Sequence, residues 1–236
     1  MTEQVVIDRR FRGPPESGNG GYVAGLLAGL IGPAAEVTLR RPPPLDHPLT
    51  VERLEGGAVA LRDGETLIAV GAPAAVKMDL PNPVDFTEAA AASAAYPGRR
   101  AHIFPECFVC GPRRAEGDGL RIFPGWVDGR EIVAAPWTPA GPLAAGDGAV
   151  RPEFVWASLD CPGGWSLFRE PSAGRPAVLG RLAARILAPV LPGERCVVIG
   201  WPLGGDGRKL YSGTALFGED GALRAFARGT WVHIAR

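Results

Sequence analysis

The apolar and polar positions of this chain form one helix-like segment followed by strand-like segments. Residues 17–32 read SGNGGYVAGLLAGLIG and carry no charged side chain. A helix that is apolar on all sides must be covered by other elements, so we predict a buried helix over 18–31. From Glu36 onward, short apolar runs alternate with turn residues, a pattern typical of antiparallel strands. The Asp63-Gly64 pair predicts a hairpin between two of them.

The second half repeats this order of elements. The stretch FVWASLDCPGGWSLF predicts a second helix over 153–168, and strand-like runs over 178–232 follow it. Pro162 lacks a backbone N–H, so we expect this helix to kink or end near Cys161. Asp-Gly turns again separate the runs, at positions 206–207 and 220–221. The matching order predicts an internal duplication.

The predicted organisation therefore has two repeats and a connector. Prolines flank the connector, and an Ala-rich stretch inside it predicts a short helix. We assign an N-terminal repeat to 1–78, the connector to 79–106 and a C-terminal repeat to 107–236.

Composition restricts the class of partner. The 25 Lys and Arg residues balance the 25 Asp and Glu residues, so we exclude nucleic acid as the main partner. The longest uncharged apolar run, Tyr22 to Ala35, is shorter than the roughly 20 residues of a membrane span. The N-terminus lacks the pattern of a secretory signal, so we expect a cytoplasmic protein with no membrane partner. Four cysteines in 236 residues predict no disulfide framework.

Three stretches carry a resemblance to hotdog-fold thioesterases. The stretch CFVCGPRRAEGDGLRIF at 107–123 resembles the opening of many single-domain members. The stretch FVWASLDCPGGW at 154–165 resembles their helix, and 207–225 is similar to their last two strands and to those of the double-hotdog acyl-CoA thioesterases. The resemblance implies an α+β double hotdog, with two curved antiparallel sheets each wrapped around a central apolar helix.

The resemblance also implies one composite active site. Family members begin the helix with His-Gly-Gly and carry a carboxylate about two turns later. The first half has Asn19, Gly20 and Gly21 at that start, but Ala28 at the carboxylate position, whereas the second half keeps the carboxylate as Asp160. We expect the Gly20 and Gly21 N–H groups to form an oxyanion hole. Asp160 would activate water or attack the thioester, and Asn19 would orient the substrate.

The expected substrate is an acyl thioester, with acyl-CoA as the leading candidate. We predict that Arg208 and Lys209 contact the phosphates of coenzyme A, and that Trp156 and Tyr22 contact the substrate. The sequence predicts no cofactor and no metal, and a homodimer is among the assemblies that it allows.

Several residues also have simpler interpretations. The two glycines can permit close helix packing, and Asp160 can be a helix cap or a buried hydrogen-bonded residue. Cys107 and Cys110 can form a structural turn or half of a zinc site, but no second cysteine pair with ligand spacing follows. Cys161 can be a nucleophile, although no histidine lies near it in sequence.

Two other functions remain open at this point. A hotdog protein that binds acyl groups without turnover would keep the groove, and loss of the family histidine favours it. A hydratase or dehydratase needs a histidine together with a carboxylate. The histidines at 47, 102 and 233 all lie outside the predicted helices, which disfavours this reaction.

Overall fold

The computed structural model describes residues 3–169 and 176–234, which form one antiparallel sheet covered by helices. The helices of this part of the chain are α1 (Gly20–Gly29), α2 (Phe86–Ala94), α3 (Pro152–Ser158) and α4 (Cys161–Trp165). Its strands are β1 (Glu3–Val6), β2 (Ala34–Leu39), β3 (Pro48–Arg53), β4 (Val59–Asp63), β5 (Thr66–Pro73), β6 (Gly125–Trp126), β7 (Val133–Trp137), β8 (Ala177–Ile186), β9 (Cys196–Asp206), β10 (Lys209–Phe217) and β11 (Leu223–His233).

The two halves meet at a seam between β2 and β8. The strand order is β1-β3-β4-β5-β2-β8-β11-β10-β9-β7-β6, and β2 pairs antiparallel with β8. The expectation of two curved antiparallel sheets is therefore corrected, because this pairing joins both halves of the described chain into a single sheet of 11 strands. Outward from the seam, β2-β5-β4-β3 matches β8-β11-β10-β9. This shared order supports the duplication, and the double-hotdog description stays a prediction.

Helix α1 packs directly against α3. Two glycines one helical turn apart allow the close approach. A Cβ atom on Gly25 would lie 2.5 Å from the Cα of Glu153, and one on Gly21 would lie 2.9 Å from the carbonyl oxygen of Trp156. Since both neighbours are backbone atoms, any side chain here would force the helices apart.

The second predicted helix is interrupted, which confirms the effect expected of Pro162. Helix α3 ends at Ser158 and α4 begins at Cys161. Between them the chain tightens, because the N–H groups of Leu159 and Asp160 donate to carbonyls three residues earlier. Pro162 occupies the first turn of α4, where a missing N–H costs nothing. The break places Asp160 between two short helices.

The core lies on both faces of the sheet. On β9, Cys196 and Val198 face the layer that contains α1 and α3, whereas Val197 and Ile199 face the layer that contains α2. This explains the continuous apolar run of β9, which is buried on both sides.

Local predictions in the rest of the fold had mixed outcomes. The three predicted Asp-Gly hairpins are confirmed, each with its glycine at positive φ: Gly64, Gly207 and Gly221. Helix α2 confirms the helix predicted in the connector. Strands β1, β6 and β7 were not predicted. None of the helices in the described part of the chain is long and apolar enough to cross a membrane.

Candidate active site

Asp160 is a buried carboxylate held against the start of α1. Its side chain lies at the break between α3 and α4, and the residue is only 3% exposed. The Oδ2 atom accepts hydrogen bonds from the Gly21 N–H at 2.8 Å and from Asn19 Nδ2 at 2.9 Å. The Oδ1 atom is buried and has no hydrogen-bond partner among residues 3–169 and 176–234. One oxygen is therefore fixed by two hydrogen bonds, and the other has none within the described residues.

Two opposing effects act on the pKa of the Asp160 carboxyl. Burial is the larger one and raises the pKa of this carboxyl to about 7, while the hydrogen bond from the Gly21 N–H acts to lower it. The positive end of the α1 dipole also favours the charged form.

Asn19 has two structural tasks. Its Oδ1 accepts the N–H of Tyr22 at 2.9 Å and so caps α1. Its Nδ2 then points to Asp160, because the two ends of one amide group are opposed. A single side chain thus begins the helix and holds the carboxylate.

A cavity of about 890 Å³ opens beside these residues. Asn19, Gly20 and Asp160 line it, and Gly20 is the first residue of α1. The Gly20 N–H has no intrahelical partner and donates to no other group in the part of the chain that the structure describes. Most of the wall is apolar, and its larger members are Leu39, Ile103, Phe104, Phe168, Leu179 and Trp231.

Comparison with known proteins identifies the fold. No protein-family model and no curated protein matches this sequence. A conserved protein of unknown function with a hot dog fold from Alicyclobacillus acidocaldarius matches 99% of this chain and 93% of its own, with a TM-score of 0.60 at 12% identity. This chain has the hotdog fold.

Two further hotdog matches carry thioesterase names. The tesB protein of Mycobacterium avium subs paratuberculosis has a TM-score of 0.61 at 11% identity, over 94% of this chain and 89% of its own. A proposed thioesterase II from Thermobifida fusca has a TM-score of 0.62 at 14% identity, over 98% and 92%. At these identities the similarity establishes the hotdog fold of this chain, and the predicted resemblance is confirmed at that level.

Within this hotdog fold, the two glycines of the predicted oxyanion hole have different positions. The Gly21 N–H already donates to Asp160, and Gly21 is buried against α3. Its expected role as an oxyanion donor is therefore corrected, because the carboxylate occupies that donor. Gly20 lines the cavity, so only its N–H retains the position that the prediction requires.

The two aromatic residues predicted to contact the substrate lie away from the cavity wall. Trp156 is 1% exposed and faces Gly25 of α1, and Tyr22 stacks on Phe11 with ring centroids 4.2 Å apart. Neither lines the cavity, so both are corrected to core residues.

The predicted phosphate contacts are also absent from the cavity wall. Arg208 and Lys209 lie at the hairpin between β9 and β10, and Arg208 donates to the His233 carbonyl. Within the described residues, the arginines that line the cavity are Arg40 and Arg41. Both are exposed, and neither pairs with an acidic side chain that the structure describes. In the sequence, only their position just after the segment that forms β2 marks these two arginines, and the prediction did not include them.

A cluster of cysteines lies in the same wall and was not predicted as a unit. The sulfur atoms of Cys107, Cys110 and Cys161 all lie within 4.8 Å of one another. Hydrogen bonds from the thiols of Cys110 and Cys161 lower the pKa of Cys107 well below its ordinary value. The sequence offered Cys107 and Cys110 as half of a zinc site but showed no further ligand. Cys161 is distant in sequence and reaches this pair only through the fold.

His102 lines the cavity beside this cluster. Its Nδ1 accepts the Phe104 N–H at 2.9 Å, and its Nε2 lies 3.3 Å from the Cys110 sulfur. Both ring nitrogens are thereby engaged with groups other than Asp160. The imidazole and carboxylate pair needed by a hydratase does not form in this arrangement.

Proposed function

We propose that this protein is a thioesterase that hydrolyses an acyl-CoA at one site between the two halves. The observation that carries the proposal is the buried Oδ1 of Asp160, which has no hydrogen-bond partner among the described residues, in a side chain at the wall of a cavity of about 890 Å³. A buried carboxylate oxygen without a partner costs free energy, so a functional reason for it is expected.

The fixed geometry of Asp160 suits a reaction at a carbonyl carbon. Gly21 and Asn19 hold Oδ2, whereas Oδ1 has no hydrogen bond with the described residues, in a residue that lines the cavity. This oxygen can take a proton from a water molecule that adds to the thioester carbonyl. Alternatively, it adds to the carbonyl carbon itself and forms an anhydride that water then opens. In both routes the C–S bond breaks, and the leaving thiolate takes up a proton.

The developing negative charge on the carbonyl oxygen needs a donor. The Gly20 N–H is suited to this task, since it lies at the positive end of α1 and no other group that the structure describes accepts it. One fixed donor of this kind contributes about 3–4 kcal/mol to transition-state stabilisation in well-studied hydrolases. The opposite half has Ala28 where the second carboxylate would stand, which supports a single site.

Cavity shape and charge support an acyl-CoA substrate. Apolar side chains such as Leu39, Leu179 and Trp231 offer a lining for an acyl chain. The exposed Arg40 and Arg41 supply positive charge at the same cavity, where the phosphates of coenzyme A can be bound by charge-assisted hydrogen bonds.

The change Asp160→Asn tests this proposal. It keeps the size of the side chain and an oxygen that accepts from Gly21 and Asn19, but it removes the basic oxygen. We expect turnover of acyl-CoA to fall by about 10²–10⁴-fold, the usual contribution of a general base. Release of free thiol from a panel of acyl-CoA substrates measures the rate, and thermal unfolding checks the fold.

Asp79→Asn is the matched control, because Asp79 is exposed and forms no hydrogen bond or ion pair with the described residues. It should hydrolyse substrate at the wild-type rate. Wild-type rates in Asp160→Asn would contradict the catalytic assignment. Binding of acyl-CoA by the wild-type protein without turnover of any substrate would instead favour the non-catalytic binding function.

A further inference from the structure

We propose that Cys107, Cys110 and Cys161 bind one Zn²⁺ ion through their three sulfur atoms, with the fourth coordination position open to the cavity. Two segments bring the ligands together: the CxxC turn at 107–110 and the first residue of α4. All three residues are buried, and all three line the cavity.

The sulfur positions suit a tetrahedral ion. Zinc–sulfur bonds of about 2.3 Å and tetrahedral angles place two ligand sulfurs roughly 3.8 Å apart. The Cys107 and Cys161 sulfurs are 3.7 Å apart, and all three lie within 4.8 Å of one another. Small side-chain rotations are sufficient to complete the geometry.

N–H donors surround the sulfur atoms of the cluster. Because His102 Nδ1 accepts a backbone N–H, the neutral ring carries its proton on Nε2, which lies 3.3 Å from the Cys110 sulfur. Trp165 Nε1 donates to the same sulfur at 3.4 Å. Asn19 Nδ2 lies 3.8 Å from the Cys107 sulfur. Such N–H donors are the outer contacts that orient and stabilise thiolate ligands.

The turn is built to present two sulfurs. The Gly111 N–H donates to the Cys107 carbonyl at 2.9 Å, and a Cβ atom on Gly111 would lie 2.5 Å from the Cys107 nitrogen and oxygen. Only glycine permits this tight return of the chain. A disulfide would use two of the three cysteines and leave the third unexplained, whereas one soft divalent ion uses them all.

Metal content and cobalt spectroscopy test the site without any substrate. Protein purified under reducing, metal-free conditions is incubated with Zn²⁺ and desalted, and mass spectrometry of the metal should then find one zinc per chain. With Co²⁺ in place of zinc, a thiolate-to-cobalt charge-transfer band and the visible bands of tetrahedral cobalt should appear.

The change Cys161→Ser removes one ligand, and we expect zinc affinity to fall by more than about 100-fold, beyond the loss usual for an outer contact. Cys196→Ser is the matched control, because Cys196 is also buried but lies on β9. It should retain full zinc binding and the cobalt spectrum.

Three results would overturn the proposal. The wild-type protein would bind no stoichiometric zinc, its cobalt complex would lack the thiolate band, or Cys196→Ser would lose zinc as completely as Cys161→Ser. The cobalt spectrum of the wild-type protein reports thiolate ligands directly, so it tests the proposal even if a cysteine variant fails to fold. Since no readout depends on turnover, the result is separate from that of the proposed thioesterase activity.

Discussion

Replacement of Gly25 by alanine tests the close packing that brings Asp160 to the start of α1. The added Cβ atom would lie 2.5 Å from the Glu153 Cα and 2.8 Å from the Trp156 Cβ. Favourable carbon contacts lie at about 3.5–4.0 Å, so α1 and α3 must separate by roughly 1 Å. The Glu153 atom belongs to the backbone and cannot rotate away.

Two terms set the size of the effect. Alanine is favoured over glycine inside a helix by about 1 kcal/mol. Overpacking of a tight core typically costs about 1–3 kcal/mol, and more where backbone must move. Because a backbone atom must move here, we expect a cost near the top of this range, about 2–3 kcal/mol. After the helix gain of about 1 kcal/mol is subtracted, Gly25→Ala should lower the free energy of unfolding by about 1–2 kcal/mol.

Gly29→Ala is the matched control in the same helix. Gly29 is exposed, and a Cβ atom there would meet no described atom within 4 Å. This variant should gain up to about 1 kcal/mol, so the two variants should differ by about 1–3 kcal/mol. Reversible urea unfolding measures that difference, which corresponds to roughly 2–12 °C in Tm for a protein of this size. Equal stability of the two alanine variants would refute the close approach of α1 and α3.

Three further predictions concern the cavity and its carboxylate. The double change Arg40→Ala with Arg41→Ala should raise KM for acyl-CoA while turnover of a short thioester without a nucleotide stays unchanged, because remote groups hold the substrate. Alanine at both Arg208 and Lys209 should leave KM for acyl-CoA unaltered. If KM rises in this variant but not in the Arg40 and Arg41 variant, Arg208 and Lys209 hold the phosphates, as the sequence predicted. Asn19→Ala should lower the free energy of unfolding by about 1–3 kcal/mol, since it removes the cap of α1 and a donor to a buried carboxylate. Serine at position 19 can still cap the helix, so Asn19→Ser should be more stable than Asn19→Ala in urea unfolding. If Asn19→Ala is as stable as the wild type, the contacts described for Asn19 are contradicted.

The sequence by itself determined the local elements. The uncharged run over 17–32 predicted a buried helix, and the Asp-Gly pairs set the hairpins because glycine accepts positive φ. Pro162 ended the preceding helix for the equally local reason that it has no N–H to donate. Short-range sterics and hydrogen bonding were sufficient for these features. The short strands β6 and β7 carry weak local patterns and were missed, because pairing with neighbours defines them.

The tertiary structure alone decided what the functional residues do. The sequence placed Asn19, Gly21 and Asp160 in one site, but it could not show that the carboxylate accepts the Gly21 N–H and so removes that donor from the cavity. Likewise, Cys161 stands 51 positions after Cys110, and only the packing of α4 against the CxxC turn joins their sulfurs. Contacts between distant segments depend on how whole layers pack, which no local pattern of residues encodes.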